Sequence, residues 1–220
     1  MTTTQQPRAS HTADRQRLLQ GAALATIGGA LWLSAIILLP NLRAVYESEE
    51  LALAALRDDR AEVFLGWSMF ALGEALVGVG IWMIARQVGR TESGWKATTA
   101  TIAGWAFLVA ALTSALIRVW PPSWTATAEE LAEGSSEVWW GVLVGAVWVV
   151  MSVAFVALAV VLLRSPDWPT WLAVALIPLG LLPLVVFLPL FYWVGAVLLG
   201  LVVLVRSRPS TRLADSPASP

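Results

Sequence analysis

The chain has 220 residues, 58% hydrophobic and 13% charged, with mean hydropathy +0.72 and a formal net charge of −1. Soluble domains are about 45–50% apolar and about 25% charged, so a water-soluble fold of this size would lack the polar surface to cover itself, and part of its solvent must be lipid. With no cysteine, disulfides, thiolate metal sites, iron–sulfur clusters and thiol redox chemistry are excluded.

The first 19 residues, "MTTTQQPRASHTADRQRLL", read as a polar, disordered tail. It holds His11, the one histidine of the chain. No histidine is left for haem ligation, zinc proteolysis or histidine-assisted serine catalysis within the membrane. The uncharged run 18–42 is longer than a signal-peptide core of about 7–15 residues and lacks a small-residue cleavage site, so it is expected to stay as a first span over 20–40. The next stretch, "NLRAVYESEELALAALRDDRAE", places Leu42, Val45, Leu53 and Leu56 at helical spacing and predicts a short amphipathic helix on the outer face.

A second span over 63–86 carries Glu74 between two uncharged runs. A charge at the centre of a span costs roughly 2.5–3.5 kcal/mol on insertion scales. Glu74 should therefore face protein or water. On a helix Phe70 and Trp67 flank it, and Ser34, Thr113, Ser114 and Ser152 lie at depths suited to partner it. Glu74 is thus the candidate proton- or ligand-binding residue, against the simpler reading of a protonated acid that hydrogen-bonds a neighbouring helix.

A third span over 97–118 ends at Arg118. With each span centred separately in the bilayer, an ion pair from Arg118 to Glu74 would have to cover about 15 Å of depth. Arg118 is therefore expected at the outer boundary, snorkelling to water. The following loop holds "WPPSW" and a capping box, Thr127 with Glu130, with Gly134 as the stop. Its acids Glu129, Glu130, Glu133 and Glu137 lack calcium-loop spacing and read as a solvated face. No metal site and no cofactor is expected.

A fourth span covers 138–163 and carries Gly141 and Gly145 in small-xxx-small spacing, as the first span does at Gly21, Ala25 and Gly29. The run 168–205 is too long for one crossing of a core about 30 Å thick. Pro178, Pro183 and Pro189 interrupt it. Spans over 168–184 and 189–206, with a turn between them, fit the length. A single kinked span with a re-entrant piece is the alternative. Charge decides between them. Six spans place ten Lys/Arg inside (Arg8, Arg15, Arg17, Arg86, Arg90, Lys96, Arg164, Arg206, Arg208, Arg212) and only Arg43, Arg57, Arg60 and Arg118 outside. Five spans would move the last three outside. Residues 207–220 form a second polar tail.

The expected fold is an all-α, six-helix membrane bundle of the bacterial cytoplasmic membrane, with both termini cytoplasmic. Its layout (first span, outer segment "ELALAALRDDRAEVFLGW", Glu74 in the second span, proline-rich last hairpin) resembles uncharacterised multi-pass membrane proteins of actinobacteria. That resemblance implies a compact bundle and transfers no catalytic residue. The inner loops lack the paired acids or His/Asp motifs of a lipid enzyme. The expected role is accordingly non-enzymatic, binding or assembly, with a small proton-coupled carrier or membrane sensor using Glu74 as the alternative. Expected partners are the lipid bilayer and a second copy or another membrane protein, and not nucleic acid.

Overall fold

A computed structural model describes residues 7–41, 48–119, 127, 129–130, 138–186 and 190–207. Within these the chain is all helical: α1 (Pro7–Leu38), α2 (Glu49–Asp58), α3 (Arg60–Thr91), α4 (Trp95–Arg118), α5 (Val138–Leu163), α6 (Thr170–Val186) and α7 (Leu190–Arg206). Four of them, α1, α3, α4 and α5, are long and apolar enough to cross a membrane. The 17-residue helices α6 and α7 are apolar but shorter, each about 25 Å long at 1.5 Å per residue.

Local signals explain several helix ends. Ser48 caps α2 by accepting from the Leu51 amide at 3.2 Å, and Asp59 caps α3 by accepting from the Glu62 amide at 3.0 Å. Gly94, at φ +59°, turns the chain between α3 and α4 in a backbone region that favours glycine. The expected box at Thr127 is formed: its amide donates to Glu130 Oε2 at 2.7 Å, and its hydroxyl accepts from the Glu130 amide at 3.2 Å.

One expectation is corrected. Residues 7–19 are the first turns of α1 and not a disordered tail. Pro7 stands at the first helical position, where its missing amide N–H does no harm, and Asp14 and Arg15 bind other helices. Pro178 and Pro183 lie inside α6 without ending it, a tolerance that neighbouring helices give to membrane segments. Pro189, Gly134, Leu42, Val45 and residues 208–220 lie outside the described residues.

The six longer helices close into a ring. α1 packs between α3 and α7, α3 against α4, α4 against α5, α5 against α6, and α6 against α7. Neighbours run antiparallel: α1 meets α7 at Arg15 with Ser207 and again at Trp32 with Trp193. The amphipathic α2 turns Ala52, Ala55 and Leu56 inward, and Ala55 and Leu56 close over Val63 at the start of α3. Inside the ring Phe70, Phe107, Met151, Phe155, Tyr192 and Trp193 are fully buried. Outside it Ile27, Ile102, Val109, Leu116, Val153, Val185 and Leu201 are exposed. An apolar exterior on every side, with a carboxylate in the core, is the pattern of a protein solvated by lipid.

Small residues set the closest approach. A Cβ on Gly28 would lie 2.6 Å from the Gly73 carbonyl oxygen, and one on Gly80 would lie 2.5 Å from the Ala25 backbone nitrogen. Gly21 and Ala25 of the expected motif serve this contact with α3, but Gly29 faces Trp193 and Val197 of α7. Gly145 on α5 meets nothing within 4 Å.

Candidate functional site

Glu74 is 1% exposed, on the face of α3 turned into the ring. Its Oε1 accepts from Arg118 Nε at 2.8 Å and, more weakly, from the Trp32 indole N–H at 3.4 Å. The acid therefore ties α1, α3 and α4 together. The Arg118 guanidinium also lies over the Phe70 ring, 5.1 Å from its centroid. Phe70 stacks on Trp32 at 4.5 Å, and Trp32 meets Trp193 at 5.3 Å. One carboxylate, one guanidinium and three aromatic rings from four helices make a single cluster.

The expected separation of Arg118 from Glu74 is overturned. Gly78 faces Ala111 and Gly104 faces Ala85 across the α3–α4 contact. In this antiparallel register Arg118 falls opposite residue 71, three residues from Glu74, or about 4.5 Å along the axis. The arginine side chain covers that distance. It turns inward because a carboxylate and an aromatic face await it there, where water at the boundary would offer only solvation.

The other expected lining residues divide. Phe70 belongs to the cluster. Trp67 is half-buried one turn away and meets Phe64 edge-on at 5.2 Å. Ser34 and Thr113 donate to carbonyls of their own helices, Ala30 at 2.7 Å and Val109 at 2.8 Å, as hydroxyls within apolar helices commonly do. Ser114 is buried but does not hydrogen-bond Glu74. Ser152 lies 2.5 Å from the Tyr192 hydroxyl, which donates to the Trp148 carbonyl at 2.7 Å. Since that donation uses the phenolic proton, Ser152 is the donor to Tyr192. This second polar knot joins α5 to α7 and is separate from Glu74.

Trp32 and Trp193 were not expected in the site. A signal for Trp32 existed: indoles favour the membrane interfaces, and Trp32 stands well inside the first span, 20–40. Trp193 offered none, because the turn before α7 suggested a boundary position. Among the described residues, three buried side-chain polar atoms have no hydrogen-bond partner: Glu74 Oε2, Trp193 Nε1 and Trp82 Nε1. Among the described residues no group of three His, Cys, Asp or Glu is arranged to hold a metal.

Each end of the bundle is tied by its own set of contacts. At the end that carries α2, Glu62 accepts from the Asn41 amide and side chain, both at 2.9 Å, and Arg57 pairs with Glu129 at 2.5 Å. At the other end Lys96 bridges Glu92 at 3.2 Å and the Arg164 carbonyl at 2.7 Å. Arg206 donates to the Asp167 carbonyl at 2.7 Å, Arg90 pairs with Asp14 at 3.3 Å, and Arg15 donates to the Ser207 carbonyl. The nearby Ser165 hydroxyl, and then the Lys96 ammonium, hold the Glu92 carboxyl below the usual carboxylate range against the opposing effect of burial.

No family model, no curated protein and no solved structure matches this chain. Its reading therefore rests on its own residues. The long apolar helices and the lipid-compatible exterior mark an α-helical membrane protein.

Proposed function

We propose that this chain is a six-span, non-enzymatic component of a bacterial cytoplasmic membrane, with both ends cytoplasmic, which binds or assembles with a membrane partner. The resemblance in layout to actinobacterial multi-pass proteins is part of the same proposal. The observation that carries it is the Glu74–Arg118 pair. Both charges are taken up within the bundle, by each other, by the Trp32 indole and by the Phe70 ring. This arrangement suits a helix lock more than an open relay, which needs a second group to pass a proton on. Isolation in mild detergent followed by native mass spectrometry tests the reading. A partner chain, or a second copy, retained at fixed stoichiometry supports it; a monomer that shows ion flux overturns it.

One observation favours a second role, a small proton-coupled carrier or sensor. Glu74 Oε2 is buried without a partner, so a proton on it would have an acceptor lone pair ready and would weaken the hold on Arg118. Flux driven by a pH gradient in proteoliposomes, present in the parent chain and lost in Glu74→Gln, would establish this role. Equal flux in both excludes Glu74 as the coupling group.

A further inference from the structure

Two open clefts meet at Arg206, at the end of the bundle opposite Arg118. One, of about 340 Å³, is walled by the apolar Leu18, Val88 and Val203 and by the more polar Gln87, Thr91, Asp167, Trp168, Arg206 and Ser207. The other, of about 400 Å³, runs up the α6–α7 surface over Trp171, Leu201, Val202 and Val205 and is almost wholly apolar. Arg206 lines both. A recess with polar groups beside an apolar groove, the two sharing one arginine at the level where a helix would leave the bilayer, suits a phospholipid: headgroup in one part, acyl chain along the other.

Charge selects the headgroup. Among the described residues this end carries Arg15, Arg17, Arg86, Arg90, Lys96, Arg164 and Arg206 against Asp14, Glu92 and Asp167. Asp14 is engaged by Arg90, and Glu92 by Lys96. Arg206 spends one N–H on the backbone carbonyl of Asp167, which anchors the guanidinium at the junction and leaves its other N–H groups for an incoming oxyanion. Planar, forked donors suit phosphate. The Gln87 amide and the Trp168 indole supply neutral donors for glycerol or phosphate oxygens, while the Thr91 hydroxyl, which donates to the Val88 carbonyl, is left to accept from a headgroup hydroxyl. The carboxylate of Asp167 also borders the recess, so a headgroup with hydroxyls to donate fits better than a bare phosphate.

We propose that these clefts bind one anionic phospholipid of the adjoining leaflet, of the phosphatidylglycerol class, with its phosphate on Arg206 and an acyl chain against Leu201 and Val205. Basic pockets between membrane helices are suited to such headgroups. The site is remote from Glu74 and independent of how that residue acts.

Native mass spectrometry of the full chain in detergent, titrated with phosphatidylglycerol and phosphatidylcholine of identical acyl chains, tests it. Phosphatidylglycerol is expected to be retained more strongly, with affinity falling about fivefold in Arg206→Gln and unchanged in Arg164→Gln, an exposed residue at the same end outside both clefts. Leu201→Trp fills the groove from the lipid side without touching the core and should also lower retention. Glycerol phosphate, which has the headgroup but no chain, should fail to compete at matched concentration. Equal retention of the two lipids overturns the proposal. So does phosphatidylglycerol binding indifferent to both Arg206→Gln and Leu201→Trp, or full competition by glycerol phosphate, which would make the recess a site for free phosphate esters. Because micelles have no sides, the result does not depend on which compartment this end faces.

Discussion

At the scale of single residues, the ion pair decides what Glu74 is worth. Removing one member of a buried pair leaves an uncompensated charge and costs about 3–5 kcal/mol, whereas replacing both by apolar groups is often nearly neutral. Glu74 is 1% exposed and Arg118 13%, so the two single losses should be unequal. Arg118→Met, which strands the deeper charge, should destabilise by the full 3–5 kcal/mol. Glu74→Gln keeps an acceptor for the guanidinium and should cost about 1–3 kcal/mol while preserving the fold. The double variant Glu74→Leu with Arg118→Met should recover most of the loss. Reversible unfolding in bicelles, read as a double-mutant cycle, checks this; additive losses would mean that the two side chains are not coupled. Glu92 gives a second residue-scale test. Its folded carboxyl is held below the ordinary value of 4.5, so its contribution is present above that value and is lost as pH falls through the lowered folded value. Thermal stability should therefore fall on acidification below about pH 4.5, and Glu92→Gln should start lower and flatten that part of the profile. Glu74 itself was legible in the sequence, because a lone acid between uncharged runs is conspicuous. Its partner was not. Pairing depends on the offset between two helices, and neither helix encodes that offset when each is centred alone in the bilayer.

At the scale of elements, helix positions were legible because burial in lipid demands long apolar runs, and the run 168–205 does divide into α6 and α7. Helix faces were legible only in part. Gly21 and Ala25 turn to α3 while Gly29, one position beyond Gly28, turns to α7: a helix packed on both sides carries two small-residue stripes, and spacing alone does not divide them. Substitutions separate the stripes from the open position. Gly80→Ala drives a Cβ to 2.5 Å from backbone that has nowhere to move, so it should cost about 1–3 kcal/mol, as overpacking generally does. Gly145→Ala, with nothing within 4 Å, should stay within about 0.5 kcal/mol or add a little stability through better helix propensity. Thermal denaturation of the two variants in the same detergent checks the contrast. A Gly145→Ala variant that loses a partner while keeping its melting temperature would place that face in an interface.

At the scale of the whole molecule, the contacts between ends bear on how often the chain crosses the bilayer. If α6 and α7 formed one kinked span, Asp167 and Ser207 would emerge on opposite sides, about a membrane thickness apart. Instead Arg206 donates to the Asp167 carbonyl, and Arg15, near the start of α1, donates to the Ser207 carbonyl. Three segments far apart in sequence therefore share one end with the α3–α4 turn, where Lys96 reaches the Arg164 carbonyl. The proposed orientation, with that end cytoplasmic, follows from its Lys/Arg excess through the charge bias of membrane insertion. A chain without cysteine is suited to the test. Single cysteines replacing the exposed Asp58, Ser93 and Asp167, and Ser207 at the end of α7, should divide into two classes in intact cells. Asp58→Cys should react with an impermeant maleimide added outside. Ser93→Cys, Asp167→Cys and Ser207→Cys should react only after the membrane is opened. Labelling of Ser207→Cys alone among the last three would restore a five-span chain. Labelling of all three, with Asp58→Cys protected, would invert the bundle and keep its six crossings.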